Sequence, residues 1–298
     1  MSERRHMEIS IESPVVTRLP GNFADWEVVA GIEDLARVAR TADELGYHHL
    51  TCSEHVAIPD EIAAVRGGTY WDPLSVFGYL AAVTTRIRFQ THVLVLAYNH
   101  PMEIAKRYGT CDRVTGGRLI LGMGVGSLQE EFDLIGATFD GRGERGDEAI
   151  RALRASLSTE HPEFVGDHYA YSGFILSPCA AQARVPIWIG GRTYRSLRRA
   201  VELGDGWVPF GIASDQIREW LARIADTEAW VARSESFDVV LRTPASIDAV
   251  RCPERTAEVV AELRGAGATN VMASFVPHSL EDYLEQLEAF AELVDDRS

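Results

Sequence analysis

Residues 186–211 read PIWIGGRTYRSLRRAVELGDGWVPFG, and this stretch holds one whole unit of the fold. Pro186–Ile189 is an apolar run of strand length, closed by the pair Gly190–Gly191. A helix is predicted over Tyr194–Leu203, and Gly206–Phe210 is a second short strand. Two strands separated by one helix run parallel, because the helix carries the chain back to its starting end. The unit recurs on both sides. Downstream, a helix is predicted over Ser214–Val231, a strand over Phe237–Arg242, a helix over Glu254–Gly265 and a strand over Asn270–Phe275. Leu280, Tyr283, Leu284, Leu287, Phe290 and Val294 then form the apolar stripe of a last helix.

Upstream, Met7–Glu12 is the first strand. Ile32, Leu35, Ala36, Ala39, Ala42 and Leu45 recur at the spacing of a helix burying one face, and Gly46 ends it. Tyr47–Cys52 is the second strand, followed by a helix over Asp72–Thr84 with Pro73 at its first position. Ile87–Leu96, Pro101–Val114, Arg118–Met123 and an interrupted helical stretch over Gln129–Leu157 complete the series. Eight strand–helix pairs in order specify a closed parallel (β/α)₈ TIM barrel, since an open doubly wound sheet more often stops at about five or six strands. A barrel uses ~250 residues, so the chain of 298 is expected to be one domain over 1–298. Residues 159–184 break the rhythm and are expected as an insertion between the fourth helix and the fifth strand, a hairpin or a lid over the mouth.

The hydrophobic fraction of 46% suits a globular core, and the net charge of −15 excludes a nucleic-acid or anionic-membrane partner. Cys52, Cys111, Cys179 and Cys252 are too scattered for a zinc or redox motif. The opening MSERRHMEIS lacks the apolar stretch of a secretory signal, and no run reaches the ~20 apolar residues of a membrane span. A cytoplasmic protein acting on a small molecule is expected.

Function in such a barrel sits on the loops after the strands. After the second strand stand Glu54 and His55, a carboxylate beside an imidazole, where a proton donor or acceptor and a plain solvated loop are equal readings. His92 interrupts the apolar run of the third strand and is either a ligand contact or a hydrogen-bonded core histidine. His100 before Pro101 reads as a helix entry. Gly122–Ser127 is a weak match to a dinucleotide fingerprint, and a tight turn is its plainer reading. The run Gly190-Gly191-Arg192-Thr193-Tyr194-Arg195-Ser196 places glycines, a hydroxyl and arginines at a helix N-terminus. Such an end binds anions through its free N–H groups, and a Thr-capped loop is the alternative. Arg198 and Arg199 are expected on the surface. No metal site is expected, since the first strand ends in Glu12-Ser13-Pro14 without paired histidines.

Four segments together, SEHVAIP (53–59), the stretch from 70 to 132, RGERGDEAIRAL (142–153) and 186–211, resemble the luciferase-like monooxygenase family, and especially its branch using coenzyme F420, a deazaflavin. The resemblance implies an oxidoreductase passing a hydride between F420 and a small organic substrate, with a reduced-FMN monooxygenase as the alternative. It implies His55 facing the reactive ring atom as the catalytic residue, and Glu54 touching the ring or ribityl region. Thr91, His92 and Val93 would shape the cofactor's face, with a non-prolyl cis peptide between His92 and Val93. Gly124, Gly126 and Ser127 would line the ring edge and side chain, and Gly190, Gly191, Arg192 and Thr193 would hold the phosphate. A homodimer is also implied. Two positions depart from the family's sugar-phosphate dehydrogenases: Val125 stands where they carry a catalytic Glu, and their Trp near residues 56–59 is absent.

Overall fold

The computed structural model describes residues 7–244, 246–275 and 277–295. Its centre is a barrel of eight parallel strands: β1 (Glu8–Ile11), β2 (His49–Cys52), β3 (Arg88–Thr91), β4 (Leu119–Gly124), β5 (Ile187–Gly191), β6 (Gly206–Pro209), β7 (Asp238–Arg242) and β8 (Asn270–Ala273). Neighbours in sequence pair around the ring, β8 pairs with β1, and β4 with β5 through Ile187 opposite Leu121 and Ile189 opposite Met123. The ring is closed.

Strand alternation divides the side chains between two cores. Ile9, Ile11, Leu50, Phe89, Leu121, Ile189, Leu241 and Val271 face outward into the layer beneath the helices. Ile120, Trp188, Val208, Val240 and Met272 form a separate cluster inside the ring. Each such side chain removed from water contributes roughly 1.5–3 kcal/mol, and the two layers hold the strand ends in fixed register. Opposite that inner cluster the interior is polar, with Ser10 donating to Asn270 Oδ1 at 2.5 Å and Gln90 buried beside them.

The outer helices are α1 (Ile32–Glu44), α2 (Pro73–Ala81), α3 (Pro101–Val114), α4 (Arg142–Ser156), α5 (Tyr194–Leu203), α6 (Ser214–Ala225), α7 (Pro253–Gly265) and α8 (Leu280–Asp295). Pro73 opens α2 behind Asp72, whose carboxylate accepts from Ser75 N at 2.9 Å. His100 caps α3 by accepting from Met102 N at 3.1 Å, which makes it a helix entry. The interruption expected in the stretch 129–157 falls at Gly136, in the left-handed region, leaving a short helix over Gln129–Ile135 before α4. Two other predicted elements are broken. The stretch 214–231 splits at Thr227, whose hydroxyl caps a separate turn over Glu228–Val231. The third strand ends at Thr91, and Leu94–Val95 resumes beside β4.

The insertion contains a hairpin, Phe164–Val165 with Ala170–Tyr171. It lies along the flank rather than over the mouth. The Glu148 carboxylate of α4 accepts from the amides of Asp167, His168 and Tyr169, and Ser156 of α4 meets the Tyr171 hydroxyl. Asp112 of α3 accepts from the amides of Ala181 and Gln182. The mouth is instead roofed by the loops after β1 and β2, which join as a short antiparallel pair, Thr17–Arg18 with Thr69–Tyr70. No helix among the described residues is long and apolar enough to cross a membrane, and none of their His, Cys, Asp and Glu side chains cluster as a metal site.

Candidate active site

At the mouth, β3 gives way to a bulge. A non-prolyl cis peptide joins His92 to Val93, as the resemblance implies. The bulge is held from both sides. Thr91 Oγ1 donates to Gly122 O at 2.8 Å, Ser53 Oγ donates to His92 O at 2.9 Å, and Val95 N donates to Glu54 Oε2 at 2.7 Å. Val93 points across the mouth into the notch left by two glycines. A Cβ on Gly124 would lie 2.8 Å from Val93 Cγ2, and one on Gly190 would lie 2.8 Å from Val93 Cγ1. Those glycines therefore make room for the valine, and the half-buried valine becomes the wall of the mouth. Glu54 thus turns one carboxylate oxygen to the backbone of the bulge.

His55 lies beside this wall. Its Nδ1 is 2.8 Å from Glu131 Oε2, and its ring stands edge-on to Tyr70 with centroids 4.5 Å apart. The Glu131 side chain is 0% exposed while that of His55 is 19% exposed, so the carboxylate is an internal anchor and the imidazole is the reachable partner. Glu131 also accepts from Val56 N at 2.5 Å, Ala57 N at 3.3 Å and the Tyr98 hydroxyl. Burial alone would raise its carboxyl, but the donors from His55, Tyr98 and Val56 outweigh that and hold it below the usual range. An ionised carboxylate only accepts, so Nδ1 of neutral His55 carries the proton and Nε2 is left as a base. Among the described residues Nε2 has no hydrogen-bond partner. Nothing in the sequence ties Glu131 to His55; it sits in QEEF (129–132) on a short helix, and its burial beside Phe132 is the sign of a special role.

Two further groups are perturbed. Burial pushes the Glu54 carboxyl up to about 7, against the Val95 N–H that favours its charge. Burial, then the nearby positive charge of Arg242, lowers His92 to about 4, so that its imidazole is neutral. Its Nδ1 is buried with no partner among the described residues.

The other end of the site is the N-terminus of α5. Gly191 has φ 148°, and a Cβ there would lie 2.6 Å from Ser196 Cβ, so the loop closes tightly on the first turn. Thr193 caps that turn by accepting from Ser196 N at 3.3 Å, leaving the amides of Tyr194 and Arg195 without a protein partner among the described residues. Arg192 and Arg195 are exposed and form no ion pair with a described residue. Arg199 corrects the surface expectation: it is 8% exposed, pairs with Asp147, and donates to Gly143 O at 3.1 Å. Gly126 sits against Phe132 with its carbonyl accepting from Arg142 Nε at 3.0 Å, and Ser127 Oγ is 3.4 Å from the Arg66 guanidinium. These two residues shape the rim between the two ends.

The family model described as luciferase-like monooxygenase matches residues 15–294. An uncharacterised protein of Mycobacterium tuberculosis is 29% identical over 277 residues, covering 86% of this chain and 93% of its own. The solved coenzyme F420 dependent tetrahydromethanopterin reductase of Methanopyrus kandleri superposes with TM-score 0.74 at 16% identity, covering 98% of this chain and 99% of that one. The oxygenating constituent of 3,6-diketocamphane monooxygenase from Pseudomonas putida, in complex with FMN, superposes with TM-score 0.72 at 16% identity, covering 97% of each chain. The closed barrel, the bulge at the end of its third strand and the match along nearly the whole sequence lead to one conclusion: the chain belongs to the luciferase-like monooxygenase family.

Proposed function

We propose that the protein is an F420-dependent oxidoreductase that passes a hydride between the deazaflavin and a small organic substrate, with His55 moving the accompanying proton. The observation that carries this reading is the pairing, across one mouth, of an oriented base with a helix N-terminus suited to an anion. His55 is fixed by a fully buried carboxylate, and the amides of Tyr194 and Arg195 at the α5 terminus, with Arg192 and Arg195, have no partner among the described residues. The residues fit a flat ring with a phosphate-bearing tail. Val93 offers an apolar wall seated in glycine notches, and the Gly190–Thr193 loop presents donors where a phosphate is favoured. Arg192 and Arg195 suit the carboxylates of an oligoglutamate tail.

When bound, the deazaflavin supplies a carbon, C5, that gives or takes a hydride. Around it the chain does the rest. Glu131 fixes the tautomer and direction of His55, and His55 Nε2 takes or returns the proton as the substrate is oxidised or reduced. Glu54 keeps Val95, and with it the bulge, in place. Tyr70, in the segment paired with Thr17–Arg18, stands edge-on against the His55 ring and limits its access to solvent. The same wall and anion end suit FMN, as the shared fold of the Pseudomonas putida enzyme illustrates, and the two arginines at the rim favour the longer, anionic tail. Titrating the purified protein separately with F420 and FMN, by absorbance and fluorescence, tests the reading. Saturable binding of F420 at least tenfold tighter than FMN is expected; tighter FMN binding overturns the choice of cofactor, and no binding of either overturns the function.

A further inference from the structure

We propose that Arg242 is the substrate-recognition residue of this mouth and that the substrate it selects carries a carboxylate. The inference rests on the reading of the mouth as the substrate-binding end. Alternation places Val240 in the inner cluster, so Arg242, the last residue of β7, is the next inward-facing position and stands at the mouth. It meets Glu12, which follows β1, and lies close enough to His92 for its charge to disfavour a protonated imidazole there. The centre of the mouth thus holds a cation, a neutral imidazole and the wall formed by Val93.

Arg242 is incompletely neutralised. Its Nε lies 3.1 Å from Glu12 Oε2, and its two terminal nitrogens have no hydrogen-bond partner among the described residues. Glu12 is itself held at a cost, since burial pushes its carboxyl up even against the pull of Arg242. The two side chains are 26% and 20% exposed, so a ligand reaches them. A guanidinium with two parallel unused donors matches a carboxylate in two-pronged fashion, and holds it more firmly and more directionally than a point charge does. The cavity beside Glu12, bordered by Ser274, Asn22 and Glu27, is about 30 Å³. That is space on the order of a water molecule or two, too little for the carboxylate of a substrate. A carboxylate seated on Arg242 leaves the rest of a short substrate in the mouth, between Arg242 and His55.

The competing explanation is an ion pair that only ties β7 to β1. The two differ in sign. If Arg242 recognises a ligand, Glu12 competes with that ligand, so Glu12→Gln strengthens carboxylate binding while Arg242→Gln weakens it. The probe is benzoate, with benzamide as its neutral match, titrated by calorimetry into the intact protein with and without F420. Expected are saturable benzoate binding at least tenfold tighter than benzamide, a tenfold or greater loss in Arg242→Gln, and a gain of threefold or more in Glu12→Gln. The F420 affinity of both variants should stay within threefold of the parent. Equal binding of benzoate and benzamide overturns the proposal, as do variants that shift benzoate binding in the same direction or not at all. Should Arg242→Gln fail to fold, Arg242→Lys keeps the charge and loses the fork, and undiminished benzoate binding there has the same force. Absence of F420 binding counts against the cofactor alone, because the benzoate comparison without F420 still reads Arg242.

Discussion

Glu131→Gln isolates the oriented base from the architecture around it. The amide matches the carboxylate in shape, so its oxygen keeps the Val56 and Ala57 amides that bond to Oε1. Its NH₂ then replaces Oε2, opposite His55 Nδ1 and the Tyr98 hydroxyl. The two bonds at that exchanged atom are the ones that must be remade, as neutral ones. Each exchange costs about 1 kcal/mol, giving about 2 kcal/mol, and a domain of this size loses roughly 2–4 °C of Tm per kcal/mol; a fall of about 4–8 °C follows. The chemical effect is larger. With an NH₂ facing it, Nδ1 must accept, so the proton of neutral His55 moves to Nε2 and the base is lost, an effect worth about 10²–10⁴ in rate where proton transfer limits turnover. The tautomer is read without any substrate, by long-range ¹H–¹⁵N correlation of histidine-labelled protein above neutral pH. The parent should show Nδ1 protonated and Nε2 bare, and the variant the reverse. The same tautomer in both proteins refutes the reasoning, even if the variant is less stable.

Gly190→Ala places a Cβ 2.8 Å from Val93 Cγ1. Overpacking of this kind costs about 1–3 kcal/mol and displaces the wall, so F420 affinity should fall at least tenfold on titration. Gly78→Ala in α2 meets nothing within 4 Å and should instead gain about 0.5–1 kcal/mol in denaturant unfolding, leaving affinity unchanged. Stability should also carry the mark of Glu54. Its folded-state value of about 7 lies above the ~4.3 of an unfolded glutamate. The fold therefore binds the extra proton between those values, and stability is lost as pH rises through about 7. Thermal unfolding should give a higher Tm at mildly acidic than at mildly alkaline pH, and Glu54→Gln should remove that difference.

The barrel was legible because each strand and helix declares itself over a few neighbouring residues. Apolar alternation marks the strands, and Pro73, Pro101 and Thr193 sit at helix starts as their chemistry requires. The breaks were harder. A helical pattern continues through Thr227 while the chain turns, because a hydroxyl cap acts on a single residue. The third strand reads as one apolar run although His92–Val93 interrupts it; that break was expected only from the family resemblance. The site was legible in halves. Glu54, His55 and Gly190–Thr193 stand at strand ends, where position alone selects them. Glu131 and the Glu12–Arg242 pair did not show, because each joins parts of the chain far apart in sequence, and local spacing is silent about which strand ends closure brings together. The packing of Val93 against both Gly124 and Gly190 did not show either, for the same reason.

A crystal structure of the protein with bound F420 tests the central claim most directly. The account predicts the phosphate on the amides of Tyr194 and Arg195, the ring against Val93, and C5 turned toward the substrate side with His55 Nε2 within reach of it. A phosphate bound away from the start of α5, or a ring that leaves the mouth between His55 and Val93 uncovered, would contradict it.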